Sequence, residues 1–189
     1  MTRLYLIRHG RPTSVWGGDD GDPGLDEIGR SQASAVAGQL LALPAGERPA
    51  RVASSPLRRC RETAQPLADA LGVTVEIDPA VGEIATPAAL QPEDRPSWLR
   101  RAMGGRWADI AGDLDYERWR RDALAAVAAR PTYAVFSHFV AINAVLSLLA
   151  GEDRVVVFRP DHTSITTLEA AAGGLAVIER GREASTGVL

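Results

Sequence analysis

The sequence predicts an α/β fold, a three-layer sandwich in which helices flank a mostly parallel central sheet. Short apolar segments of strand-forming residues alternate along the chain with longer segments whose apolar residues recur at helical spacing. The chain of 189 residues is long enough to bury a core, and we expect a single domain over residues 1–189.

The first strand and the first helix are predicted near the start of the sequence. Residues 4–7 form a short, wholly apolar segment that is typical of a buried strand. A helix is expected from Asp26, a residue type that caps helix N-termini, to about Leu43. Three apolar side chains of this helix are expected to face the core: Ile28, Val36 and Leu40.

A second strand, a second helix and a third strand follow. The strand is expected at residues 52–54, and the helix extends over residues 56–71, where Gly72 ends it. Pro66 is expected to kink or divide this helix, because proline cannot donate the main-chain hydrogen bond. Residues 73–77 alternate as a strand does.

The pattern then changes, and residues 84–115 are predicted to form a divergent insertion or lid, rich in proline, glycine and charge. Regular alternation returns with a helix at residues 115–130, a strand at 133–137 and a helix at 138–150. Two strands joined by a glycine pair are expected to close the fold, at residues 164–168 and 175–178.

The composition excludes several function classes. All 21 basic residues are arginine, so a Walker-type phosphate loop and Schiff-base chemistry, which need lysine, are excluded. The net charge of −3 argues against a nucleic-acid binder. A single cysteine, Cys60, excludes an internal disulfide and a cysteine-based zinc site. No secretory signal or membrane-spanning run is evident, so we expect a cytoplasmic protein without a membrane partner.

Two of the three histidines directly follow predicted strands. His9 follows the first strand and His138 the strand at residues 133–137, while Arg59 lies just after the strand at residues 52–54. The carboxyl ends of parallel strands form the ligand crevice of such sheets, so these side chains are expected to meet there. Arginine beside histidine is a costly way to build a core, but it suits the binding of a phosphoryl group.

Four segments, in order, resemble the histidine phosphatase superfamily, which includes the cofactor-dependent phosphoglycerate mutases. The segments are LYLIRHG at residues 4–10, LDEIGRSQA at 25–33, SSPLRRCRETA at 54–64 and VFSH at 135–138. The similarity spans most of the chain and is weakest at residues 84–115. The resemblance implies a phosphoglycerate mutase-like fold and a metal-independent enzyme without a cofactor.

The resemblance also implies roles for individual residues. His9 would be the nucleophile that forms a phosphohistidine, and Arg8, Arg59 and His138 would hold the phosphoryl oxygens. Many family members carry an asparagine six positions after the first histidine. Val15 stands there, so we expect that this phosphate contact is either absent or supplied by Thr13 or Ser14.

Arg59 has two arginine neighbours that must be told apart from it. The family's phosphate-binding arginine stands three residues after the proline, which selects Arg59. Residues three apart share a helix face, so Arg58 and Arg61 point away from Arg59 and are expected to be solvated. Cys60 is expected to be a small buried side chain rather than a nucleophile.

Protonation of the leaving oxygen and activation of water can be performed in turn by one carboxylate. Glu83 stands where the family has its acidic residue after the third strand, with Glu93 or Asp94 as alternatives. Another branch uses an aspartate directly after the second histidine, but Phe139 stands there. The site therefore has Glu83 as its expected acid and base.

Four residues are candidates for the pocket rim: Ser14, Trp16, Phe139 and His162. Trp98 and Trp107 are expected to pack in the core or the lid. The function expected from these observations is hydrolysis of a small phosphorylated metabolite. A phosphoglycerate-type phosphomutase and a non-catalytic phospho-ligand or phosphoprotein binding module remain open, as does a homodimer.

Overall fold

The computed structural model describes residues 2–14, 21–171 and 174–185. Its strands span Thr2–Arg8 (β1), Arg51–Ser54 (β2), Val75–Ile77 (β3), Tyr133–Ser137 (β4), Ile165–Ala171 (β5) and Gly174–Glu179 (β6). Its helices span Glu27–Leu41 (α1), Arg58–Leu71 (α2), Arg95–Gly104 (α3), Tyr116–Ala128 (α4) and Phe139–Leu149 (α5).

The strands form one mixed sheet in the spatial order β3-β2-β4-β1-β5-β6. Strands β3, β2, β4 and β1 pair in parallel, whereas β5 pairs antiparallel with both β1 and β6. The mostly parallel sheet predicted from the sequence is therefore confirmed, and β1 lies inside it between β4 and β5.

Alternate side chains of β1 enter two separate cores, because successive residues of a strand face opposite sides of a sheet. Leu4 and Leu6 pack in a cluster that includes apolar residues of α4 and α5. Tyr5 and Ile7 pack on the other face, against apolar residues of α1 and α2. The molecule thus has the predicted three layers, helices on each face of the sheet.

The ends of α1 and α2 follow the local sequence. Asp26 caps α1, its side chain accepting a hydrogen bond from Gly29 N at 2.6 Å, and Gly72 ends α2 with a φ of 67°.

The expectation for Ile28 is wrong: its side chain is 48% exposed, because it lies about 100° around the helix from the buried Gly29. Pro66 does not divide α2, which continues through it at the cost of one main-chain hydrogen bond.

Residues 84–115 contain α3 and two short 3₁₀ turns, Pro92–Asp94 and Trp107–Asp109. Trp98 and Trp107 are buried, as expected, in a cluster that includes Phe139 of α5. This cluster joins the segment to the amino-terminal end of α5, next to His138. Within the described part of the chain, no helix is long and apolar enough to span a membrane.

Candidate active site

The carboxyl ends of β2, β4 and β1, three neighbouring strands, bring the candidate residues together. Arg8 at the end of β1 is in register with Ser137 at the end of β4, so His9 and His138 follow adjacent strand ends. Their ring centroids lie 5.2 Å apart. The sequence prediction that His9 and His138 would meet is therefore confirmed.

Two buried arginines flank the histidine pair. Arg8 and Arg59 are each 6% exposed, and neither forms an ion pair within the described residues. Arg8 donates from Nη1 to Pro160 O at 2.9 Å, its buried Nε has no partner among the described residues, and its Cζ lies 5.4 Å from the centre of the Phe139 ring. Burial lowers the pKa of Arg8 to about 10. Buried, unpaired guanidinium groups are costly unless an anion neutralises them.

His9 is held in one tautomer by its neighbour. Its Nδ1 lies 2.7 Å from the carbonyl oxygen of Gly10, which can only accept, so Nδ1 carries the proton. Burial, His138 and the guanidinium groups of Arg8 and Arg59 hold the pKa of His9 well below its usual value. The ring is therefore neutral, and its Nε2 carries a free electron pair, as a nucleophile requires.

His138 is held in the opposite tautomer. Nη2 of Arg59 lies 3.2 Å from its Nδ1, and a guanidinium can only donate, so Nδ1 is the acceptor. The proton then lies on Nε2, which is 2.7 Å from the hydroxyl of Ser55 and 3.3 Å from the buried sulfur of Cys60. Burial and the two arginines lower the pKa of His138, and burial raises the pKa of the Cys60 thiol. Cys60 is a small buried side chain, as expected.

The loop that follows His9 is positioned by residues to which the sequence reasoning gave no role. The hydroxyl of Thr63 accepts from Gly10 N at 2.9 Å and donates to Arg59 O at 2.6 Å, so it joins both sides of the site. The side chain of Gln32 accepts from Arg11 N at 2.9 Å. Thr63, Gln32 and Ser55 all lie in segments that resemble the family, so a signal for them was present in the sequence.

Glu83 lies near the amino-terminal end of α5, close enough to Arg59 and Arg8 for their charges to act on its carboxylate. Its half-buried carboxylate accepts from Ile84 N at 2.9 Å and approaches Val140 N at 3.5 Å. Burial raises the pKa of Glu83, while these amides and the charges of Arg59 and Arg8 oppose the shift. A raised pKa is what a carboxylic acid needs to protonate a leaving oxygen. The alternatives Glu93 and Asp94 are exposed.

The other residues considered in the sequence analysis differ in their burial and in their contacts with the site. Phe139 is buried beneath Arg8, so it supports that guanidinium rather than forming an open rim. His162 is half-buried, and its ring centroid lies 5.5 Å from that of His9. Arg58 and Arg61 are exposed, as expected.

Thr13 and Ser14, the two candidates for a phosphate contact after His9, differ in their exposure. Thr13 is exposed and its main-chain nitrogen donates to Gly24 O at 2.9 Å. Ser14 is half-buried, and its Oγ has no partner among the described residues. Val15 and Trp16 lie outside those residues. No cluster of histidine, cysteine and acidic side chains suited to a metal ion occurs in the part of the chain that the structure describes.

The sequence of the chain matches a known family. Residues 4–182 match the model of the histidine phosphatase superfamily, branch 1. The chain belongs to the histidine phosphatase superfamily. The family expectation drawn from the four segments is therefore confirmed.

Two curated relatives of this superfamily member show moderate identity. The chain is 32% identical over 188 residues to the bifunctional protein Rv2228c of Mycobacterium tuberculosis, covering 90% of this chain but only 50% of that protein. The chain thus spans about half the length of this relative. It is 29% identical over 170 residues to the probable phosphoglycerate mutase GpmB of Yersinia pestis, covering 80% and 76% of the two chains.

Solved structures of similar proteins show the same fold. Phosphoserine phosphatase from Entamoeba histolytica aligns with a TM-score of 0.74 at 21% identity, over 96% of this chain and 98% of that one. Mycobacterial glucosyl-3-phosphoglycerate phosphatase aligns with a TM-score of 0.72 at 22% identity, over 94% and 97%. At these identities the likeness concerns the fold.

Proposed function

We propose that the protein hydrolyses the phosphomonoester of a small phosphorylated metabolite through a phosphohistidine on His9. The observation that carries the proposal is the pair of buried guanidinium groups, Arg8 and Arg59, beside a neutral histidine. A phosphate dianion neutralises such a pair and accepts hydrogen bonds from both. The phosphatase relatives of similar fold support the same reaction class.

The first step transfers the phosphoryl group to the enzyme. His9 Nε2 attacks phosphorus with its free electron pair, the P–N bond forms and the P–O bond to the alcohol breaks. Arg8 and Arg59 stabilise the charge on the phosphoryl oxygens, and the Gly10 carbonyl stabilises the positive charge that develops on the His9 ring. Glu83 donates its proton to the leaving oxygen.

The second step releases phosphate. Water attacks phosphorus and gives a proton to the Glu83 carboxylate, while the P–N bond breaks and its electron pair returns to His9 Nε2. Inorganic phosphate leaves, and both residues are restored to their initial protonation states. His138 accepts from Arg59 at Nδ1 and so helps to position that guanidinium group for the phosphoryl oxygens.

The test is hydrolysis of p-nitrophenyl phosphate in the presence of a metal chelator. We expect turnover that His9→Ala abolishes and that Arg59→Ala lowers about 100- to 1,000-fold, the cost of losing one donor to transition-state charge. Arg61→Ala, which removes the exposed arginine of the same helix, is the matched control and should keep wild-type activity.

Other outcomes of the test would contradict hydrolysis. Transfer of phosphate between hydroxyls of one substrate, without net release, would indicate a phosphomutase. Binding of phosphate esters without turnover of any of them would indicate a binding module. Turnover that survives in His9→Ala would remove the proposed nucleophile.

A further inference from the structure

His162 is the third histidine of the site, and its loop is built onto the end of β1. Arg8 donates from Nη1 to Pro160 O at 2.9 Å, and Thr163 N donates to Arg8 O at 3.1 Å. Thr163 takes a φ of 56°, a left-handed conformation that costs energy for a β-branched residue. The loop is therefore held in one place relative to His9.

The ring of His162 is oriented by the nucleophile's own main chain. Its Nδ1 lies 3.2 Å from the carbonyl oxygen of His9, and the two ring centroids lie 5.5 Å apart. Because a carbonyl can only accept, Nδ1 must carry the proton. The half-buried side chain thus lies directly beside the group that attacks phosphorus.

The electrostatic surroundings keep this ring neutral. Burial and the guanidinium groups of Arg8 and Arg11 lower the pKa of His162 to about 4, although the Asp161 carboxylate and the His9 carbonyl favour its charged form. With Nδ1 protonated and the ring neutral, Nε2 carries a free electron pair. No described residue donates to that Nε2, so it is an available acceptor beside the nucleophile.

We propose that His162 determines substrate specificity by accepting, at Nε2, a hydrogen bond from the alcohol part of the phosphomonoester. The preferred substrates are esters whose alcohol carries a hydroxyl or ammonium donor near the ester oxygen. The phosphoryl group is held by the two arginines, so a contact on the alcohol side is what separates one phosphomonoester from another. This inference rests on the proposed hydrolysis and adds the substrate class to it.

A purely structural role for His162 predicts something different. If the ring only holds the His9 carbonyl through Nδ1, its loss lowers activity on every phosphomonoester equally. If Nε2 contacts the alcohol, its loss lowers activity selectively on esters that carry a donor. His162→Asn separates these roles, because the asparagine amide nitrogen takes the place of Nδ1 and nothing takes the place of Nε2.

The experiment compares kcat/KM for glycerol 1-phosphate and n-propyl phosphate, which have the same carbon chain with and without hydroxyls. We expect the ratio of the two values to fall about tenfold from wild type to His162→Asn, the effect of one hydrogen bond. The intrinsic reactivities of the esters cancel in this comparison, because both enzymes meet the same pair. Arg61→Ala is the control that should leave the ratio at its wild-type value.

An unchanged ratio in His162→Asn, including one in which kcat/KM falls equally for both esters, would overturn the proposal. Thermal unfolding of the variant shows whether it is folded, and His162→Thr provides a second variant that lacks Nε2. Hydrolysis of p-nitrophenyl phosphate by wild type and His9→Ala is measured in parallel. Loss of the His162 role with retained, His9-dependent hydrolysis is then distinguishable from failure of the proposed function itself, which would overturn both.

Discussion

All three histidines of the sequence lie at the carboxyl end of β1 or beside it, and each has a lowered pKa. The shared cause is burial close to the guanidinium group of Arg8, which disfavours a further positive charge. Arg59 adds to this effect at His9 and His138, and Arg11 adds to it at His162. The neutral rings then differ only in the nitrogen that carries the proton. His9 and His162 each donate from Nδ1 to a carbonyl, whereas His138 accepts at Nδ1 from Arg59.

These tautomers and protonation states can be measured directly. At pH 6, just below the ordinary histidine pKa of about 6.5, we expect all three rings to remain neutral. Ring nitrogen chemical shifts should show the Nδ1–H form for His9 and His162 and the Nε2–H form for His138. Protonation of His9 above pH 6.5, or its Nε2–H form, would contradict the site described above.

The role of Glu83 is tested by the leaving group. Glu83→Gln removes the acid but keeps the size of the side chain, so esters with poor leaving groups should lose about 100-fold or more in rate. Aryl esters such as p-nitrophenyl phosphate need no protonation and should lose far less. Equal losses on alkyl and aryl phosphates, measured as kcat, would show that Glu83 does not protonate the leaving oxygen.

At the residue scale, the sequence predicts the position of a site residue where that position follows from a strand end or a helix face. His9, His138 and Arg59 were predicted because residues after parallel strands converge and residues of one helix separate by face. Phe139 and His162 were only rim candidates, because what a loop side chain contacts depends on distant segments. The Pro160 carbonyl that binds Arg8 left no signal, since a main-chain acceptor has no residue type.

At the scale of elements, α1 is the helix that positions the loop after His9. Its Gly29 lies so close to the loop that an added Cβ would stand 2.1 Å from Arg11 O. Asp26 and Gln32, on either side of that glycine, bind the Arg11 side chain and main chain. The close approach at Gly29 sets the rotation of the helix, which is why Ile28 faces solvent.

A pair of glycines in α1 tests this contact. Gly29→Ala should destabilise the protein by about 1–3 kcal/mol, because the methyl group forces the loop away. Activity should fall with it, since the same loop positions His9. Gly38→Ala is the matched control: an added Cβ there meets nothing within 4 Å, so the variant should gain about 0.5–1 kcal/mol from helix propensity.

Urea unfolding and p-nitrophenyl phosphate turnover of the two variants provide the comparison. We expect the changes in stability of Gly29→Ala and Gly38→Ala to have opposite signs. Equal stability changes in Gly29→Ala and Gly38→Ala would mean that the Arg11 loop does not depend on the close approach.

At the scale of the whole molecule, β1 lies between β4 and β5. The first described strand therefore pairs with two strands that come late in the sequence. The sequence predicted most of the strands and helices and a mostly parallel sheet, because periodicity and capping residues are local signals. The strand order was not predictable in the same way, since it depends on which apolar faces pack together. That order is nevertheless what unites the two histidines.

The neutral histidines make the stability of the whole protein depend on pH. Below about pH 6.5 the unfolded chain takes up protons on three histidines that the folded protein keeps neutral, so stability falls with acidification. Each histidine contributes up to about 1.4 kcal/mol per pH unit. The raised pKa of Glu83 acts in the opposite direction, but it is one group against three.

Urea unfolding at pH 7 and pH 5 measures this balance. We expect a lower free energy of unfolding at pH 5, with an unchanged dependence on urea concentration. A protein that is equally stable or more stable at pH 5 would show that the histidines are protonated in the folded state.

The central claim is that His9 carries the phosphoryl group during turnover, and trapping the intermediate tests it most directly. The enzyme is mixed with a phosphomonoester, quenched in alkali within the first turnover and digested for mass spectrometry. We predict one phosphoryl group on the peptide that contains His9, stable in alkali and lost in acid, and none in His9→Ala. A phosphoryl group on another residue, or turnover of wild type without any phosphorylated enzyme, would contradict the account.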